Sequence, residues 1–151
     1  MARKQASGFI VVRKFDEVYH VLGMSAYGKF DFPRGTVDPG EDLFTAARRE
    51  VTEEAGIKKL EMNWGQDSIT VSNKKKDITL WLGETTDEPV IRPNPENGIL
   101  EHDFYKWISF DEVENVGFHP FFYSALKWAK ERVEGVTMES IMREWRCFTN
   151  E

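Results

Sequence analysis

Compact β-branched runs and alternating apolar positions mark the strands of this chain. GFIVVRK (8–14) is one such run and EVYHVLGM (17–24) a second, joined by a short polar turn at Asp16. Residues 25–42, SAYGKFDFPRGTVDPGED, are rich in glycine and proline and read as loop. From about Asp42 to Ala55 the period becomes helical. Phe44, Ala47, Val51 and Ala55 would share a core-facing stripe, acidic residues open the helix as its dipole favours, and Gly56 is placed to end it. KLEMNW, DSITVS and DITLWLGE predict further strands, with the polar turn NKKK (73–76) between the last two. Residues 84–99, carrying Pro89, Pro93, Pro95 and Asn97-Gly98, predict a loop, and DFYKWIS (103–109) another strand. Ser109 and Glu112 resemble a capping box for a short helix. PFFYSALKWAKERVEG (120–135) predicts an amphipathic helix with proline in its first turn, and TMESIMREWRCF (137–148) adds another. Strands and helices mix without a regular βαβ rhythm, which favours an α/β sandwich on a mixed sheet. The chain, 1–151, shows no repeat or linker and suits a single domain.

Composition narrows the function. No apolar run approaches the ~20 residues that span a bilayer. The start, MARKQASGFIVV, lacks a secretory signal's long apolar core and cleavage site, and reads as leading into the first strand. Cys147 is the only cysteine, which excludes an internal disulfide and a multi-cysteine zinc site and fits a reducing cytoplasm. A net charge of −6 argues against a general nucleic-acid coat and against stable DNA binding. It admits a phosphate substrate if cations lie between the two sets of negative charge.

The segment RREVTEEAGI (48–57) holds Glu50, Glu53 and Glu54. At ~100° per residue these fall within one arc of a helix, where each like-charge neighbour pair costs roughly 0.2–0.5 kcal/mol. Arg49 lies off the centre of the arc. Alone, such a cluster reads as a solvated acidic face. The segment GTVDPGEDLFTAARREVTEEAGI (35–57) changes that reading. It resembles, at every fixed position, the signature of the Nudix hydrolases: Gly35, Glu41, Arg49, Glu50, Val51, Glu53, Glu54, Gly56 and Ile57. The resemblance implies a Nudix-type α/β/α sandwich with a mixed central sheet. It also implies hydrolysis of a diphosphate linkage in a nucleoside diphosphate joined to another group. By the same resemblance Glu50, Glu53 and Glu54 would hold Mg²⁺, with Mn²⁺ able to substitute. The Gly35 carbonyl would add a ligand, Glu50 would also orient or deprotonate water, and Glu41 and Arg49 would tie loop to helix behind them.

Three further segments resemble one branch, the asymmetrical diadenosine tetraphosphate hydrolases: FPRGTVDPGED, NKKKDITLWL (73–82) and LEHDFYKWI (100–108). The chain departs from that branch at Leu80, where it has tyrosine, at Leu100, where it has histidine, and at Asp103, where it has glutamine. The match implies that Glu101 joins the metal site or serves as general base. Arg34, Lys76 and His102 would meet phosphate, and Tyr27 and Tyr105 are candidates to stack on a base, as are Trp81 and Trp107, although strand aromatics more often belong to the core. Dinucleoside polyphosphates are then the expected substrates, with ADP-ribose, FAD and an RNA 5′ end as alternatives. A nucleotide-binding module that cleaves nothing is the rival of a different class; such a module would be expected to carry a broken signature, and here every carboxylate is present.

Overall fold

β1 (Lys4–Phe15) organises the molecule, and it owes that role to alternation. Ala6, Ile10 and Val12 belong to one buried cluster, whereas Phe9 and Val11 belong to another. Successive side chains of a strand point to opposite faces, so a strand that is apolar at both parities must be covered on both sides. The computed structural model describes residues 3–135. Among them the chain runs β1, β2 (Val18–Ala26), β3 (Lys29–Asp31), β4 (Arg34–Thr36), α1 (Leu43–Ala55), β5 (Ser68–Ser72), β6 (Lys76–Glu84), β7 (Phe104–Ser109) and α2 (Tyr123–Glu134).

The sheet order is β3-β2-β1-β6-β5, with β4 also pairing β1 and β7 also pairing β2. β1 and β6 are parallel, from Lys4 beside Lys76 to Val12 beside Glu84, and the other pairs are antiparallel. Ala47, Val51 and Ala55 of α1 pack with Phe9, Val11, Leu22 and Trp81 on one face. Ala125, Leu126 and Ala129 of α2 pack with Ile10, Ile78, Leu80 and Leu82 on the other. The fold is therefore an α/β/α sandwich on a mixed sheet, as the apolar pattern predicts. No helix among the described residues is long and apolar enough to cross a membrane.

Several local expectations change. The loop over 25–42 contains two three-residue strands, β3 and β4, whose pairing is supplied by β2 and β1 rather than by their own periodicity. KLEMNW is not a strand. Its half-buried Leu60, Met62 and Trp64 do alternate with exposed Glu61 and Asn63, but the backbone makes only the single bridge Glu61–Glu84. Ser109 and Glu112 do not form a capping box: Ser109 Oγ donates to Glu112 Oε1, and the short 3₁₀ turn Val113–Asn115 has no side-chain cap. A 3₁₀ turn at Pro120–Phe122 precedes α2. The helix expected over 137–148, and Cys147, lie outside the described residues. α1 matches its prediction: the Asp42 side chain accepts from Thr45 N at 2.9 Å, and Gly56 ends the helix at φ 67.

Gly8 lets the site approach the sheet. A Cβ there would overlap the Pro33 carbonyl oxygen and the Arg34 Cβ. Gly8→Ala is therefore expected to push β4 off β1 and to cost about 1–3 kcal/mol, the usual range for overpacking. Thermal unfolding checks this; an unchanged midpoint would show that the contact yields freely.

Candidate functional site

β4 pairs with β1 in the sheet and lies against α1, and its alternation sorts the site into two charge zones. Gly35 turns toward α1. A Cβ on Gly35 would overlap the Glu50 carboxyl group, so the position admits no side chain at all. Arg34 turns the other way, its guanidinium 5.6 Å from the Phe122 ring centroid. Both flank a cleft of about 800 Å³.

The α1 wall carries the acidic zone. Glu50 is 9% exposed, and burial pushes its carboxyl up to about 7, against the opposing Arg49 charge and with help from Glu53 and Glu101. Glu54 is half-covered by area, but protein encloses its carboxyl, and burial pushes it up to about 9; the Arg34 N–H lowers it, and Glu50, Glu101 and Asp31 raise it further. Its Oε2 accepts from Arg34 N at 3.1 Å, and Glu54 makes no ion pair among the described residues. Glu101 lies on the loop across the cleft, held by Asn94 Nδ2 at 3.1 Å.

Arg49 braces this wall from behind. Its Nε and Nη2 donate to the two carboxylate oxygens of Glu41, both at 2.9 Å, and Nη2 also donates to the Thr36 carbonyl at 3.2 Å. Nη1 donates to Glu50 at 2.9 Å and to Glu53 at 3.3 Å. The Arg49 fork holds the Glu41 carboxyl down at about 2. Loop 36–41 and α1 are thus tied through one guanidinium, which reaches Glu50 and Glu53 and leaves Glu54 uncompensated.

The donor chemistry of the wall fits a hard divalent cation. It offers carboxylate oxygens and, at Gly35, a backbone with no side chain above it. A buried hydroxyl, Ser7 Oγ, has no hydrogen-bond partner, and the register places Ser7 directly opposite Gly35. Among the described residues no three such side chains yet close into a ready-made cage, since Glu50 and Glu53 are turned to Arg49 and Glu54 to the Arg34 N–H. Glu54, enclosed by protein and without an ion pair among the described residues, is the carboxyl whose ionisation a bound cation would favour.

The basic zone lies on the other side of β4. Arg34 and Lys76 line it with His102 and His119. Burial pulls the Lys76 ammonium down, with the Arg34 charge acting in the same direction. Burial likewise lowers His102 and His119, which favours their neutral imidazoles. Tyr27 is fully exposed at the rim, at φ 51 in the two-residue turn to β3. Tyr105 does not belong here. It sits on β7 in the α1-side cluster with its hydroxyl donating to Glu88 at 3.0 Å, so the stacking role expected of it is corrected. Trp81 is core as well. Asp31 and His119 join the site without having been singled out in the sequence; the three-residue spacing of Asp31 and Arg34 is the signal that could have found the first.

Comparison with known proteins bears on the family and the fold. The family profile described as NUDIX domain matches residues 3–129. The chain is 30% identical over 111 residues to the asymmetrical bis(5′-nucleosyl)-tetraphosphatase of Caenorhabditis elegans, covering 68% of this chain and 75% of that protein. An RNA pyrophosphohydrolase of Bartonella henselae is 28% identical over 108 residues, covering 60% of this chain and 62% of that protein. The crystal structure of a C. elegans Ap4A hydrolase binary complex superposes with a TM-score of 0.71 at 24% identity, covering 87% of this chain and 98% of that one.

The folded Glu54 carboxyl titrates well above an unfolded one. Its ionisation penalty is therefore absent below about pH 4.5, grows as pH rises, and is complete above about pH 9. Glu54→Gln keeps the acceptor for Arg34 N and removes the charge. It should raise the midpoint of cation-free protein by several degrees at pH 9 and by little near pH 5. Equal midpoints for both proteins at both pH values would contradict the enclosure of Glu54.

Proposed function

This chain belongs to the Nudix family and is a Nudix pyrophosphohydrolase, and from that premise we propose that it cleaves a diphosphate bond in dinucleoside polyphosphates such as diadenosine tri- or tetraphosphate, using Mg²⁺. One observation carries the reading: a single cleft sets a carboxylate wall, Glu50, Glu53, Glu54 and Glu101, which Arg49 compensates only in part, across from the cations Arg34 and Lys76. Relatives named as tetraphosphatases support the choice of substrate.

The carboxylates of Glu50, Glu53, Glu54 and Glu101, with the Gly35 carbonyl, would hold the cation. When bound, Mg²⁺ neutralises diphosphate oxygens and lowers the pKa of a coordinated water; Mn²⁺ can do the same. Arg34 and Lys76 hold the phosphates that lie beyond the acidic wall. Glu50 has a carboxyl near 7, matched to a proton acceptor at neutral pH, but Arg49 occupies its Oε1. Glu101 bears no cationic partner among the described residues and takes the water proton at the carboxylate oxygen that Asn94 leaves free. Water then attacks one phosphorus, and a nucleotide leaves as its new charge is met by Lys76. His102, neutral and buried, donates a ring N–H toward a phosphate oxygen. Tyr27 stacks on a base from the rim.

A second reading is removal of pyrophosphate from an RNA 5′ end. It is favoured by the relatives named RNA pyrophosphohydrolases and by Lys74 and Lys75, which continue the basic edge next to Lys76.

A panel of diadenosine polyphosphates, ADP-ribose, FAD, nucleoside triphosphates and 5′-triphosphate RNA, assayed with Mg²⁺ and Mn²⁺, tests the assignment. Diadenosine tri- or tetraphosphate should give the highest kcat/KM; cleavage of RNA alone would move the protein to the second reading. Glu53→Gln and Glu54→Gln should each lower kcat at least about a hundredfold and weaken cation-induced stabilisation. Glu101→Gln should lower kcat while keeping most of that stabilisation. Full turnover in the folded Glu53 and Glu54 variants would sink the metal assignment.

A further inference from the structure

Arg34 joins the two charge zones. Its backbone N–H donates to Glu54, and its side chain faces the basic zone. Asp31 holds that side chain. Arg34 Nε donates to Asp31 Oδ1 and Nη2 to Oδ2, both at 2.8 Å, and Oδ1 also accepts from Phe32 N at 2.7 Å. The two side chains are only 17% and 15% exposed, so the pair is part of the cleft wall and not a solvent-screened surface bridge.

The geometry leaves Arg34 usable. A guanidinium carries five N–H donors, and the fork to Asp31 takes two of them. The remaining three, one on Nη2 and two on Nη1, point away from Asp31. Asp31 also explains how Arg34 tolerates Lys76 as a neighbour in the same wall: the Arg34 charge pulls the Lys76 ammonium down, and Asp31 opposes it. His102 and His119 line the wall around the same carboxylate. One carboxylate thus keeps two like charges together in the absence of ligand.

We propose that Asp31 is a positioning residue that fixes Arg34 by one edge, so that the guanidinium meets the substrate's phosphate chain with the other. The proposal rests on the reading of the cleft as a diphosphate site. A guanidinium already held in place gives up less freedom when the anion arrives. Asp31 itself, neutralised by the fork, does not repel that anion. Because Asp31 acts through Arg34 and touches no reacting atom, its loss removes binding that is equal in ground and transition states. That loss appears in KM and not in kcat.

The test has two arms. In the kinetic arm Asp31→Ala should raise KM for the best substrate of the panel about tenfold with kcat within about twofold of wild type. Arg34→Ala should do at least as much, and the double variant should be no worse than Arg34→Ala alone. In the arm that needs no substrate, the Arg34 Nε–H resonance of ¹⁵N-labelled protein should be protected from solvent exchange in wild type. It should be lost in Asp31→Ala while the Arg49 Nε–H signal persists, which shows the fold intact. A protected Arg34 signal in Asp31→Ala, an unchanged or lowered KM, or additive effects of the two substitutions would each overturn the proposal. If wild type cleaves nothing in the panel, the diphosphate reading fails, and the resonance arm alone decides whether Asp31 holds Arg34.

Discussion

The contact on which the site depends is the seating of the Glu50 carboxyl against Gly35. No side chain fits between them, so α1 comes down onto β4 until carboxylate and backbone meet. That approach produces both the burial that raises Glu50 and the path by which Arg34 N reaches Glu54. Burying carboxylates is unfavourable in isolation. Here only part of the charge is compensated, by Arg49 at Glu50 and Glu53, and the rest is left at Glu54. On the proposed reading, a cation would enter where positive charge falls short of the carboxyls that α1 presents.

The frame comes from β1. Its register places Ser7 opposite Gly35 and Gly8 opposite Arg34, so the strand that anchors both hydrophobic clusters also sets the height of β4. The close approach at Gly8 brings β4 in, and the Arg49 fork to Glu41 fixes the loop that follows it. The alternation of two residues, Arg34 and Gly35, then separates the cleft into a basic and an acidic side. On the proposed reading, an anionic substrate that spans β4 would meet cations on one side and, through metal, carboxylates on the other.

The parts of this design that have long period or fixed spacing were legible in the chain. α1, its stop at Gly56, the glutamate arc and the compact strand of β1 follow from periodicity and from the signature over residues 35–57. The parts that depend on partners distant in sequence were not. β3 and β4 are too short to show a period and exist because β2 and β1 offer edges. KLEMNW shows an alternation that is real in burial yet finds no strand to pair with. Tyr105 and Tyr27 look alike as candidates for stacking; only the fold tells that one is tied to Glu88 and the other stands free at the rim. Asp31 sits in a segment read as loop, and its value to the site comes from the turn that brings it back to Arg34.

On the proposed reading, α1 presents protonatable carboxyls, Glu54 above all, that give up protons when a divalent cation binds. Calorimetric titration of Mg²⁺ into the protein at about pH 7.5, repeated in buffers of different ionisation enthalpy, counts the protons released on binding. With Glu54 held up at about 9 and Glu50 near 7, binding should release at least about half a proton per protein, and markedly less in Glu54→Gln. Saturable binding with no proton release, or no binding at all, would contradict the account.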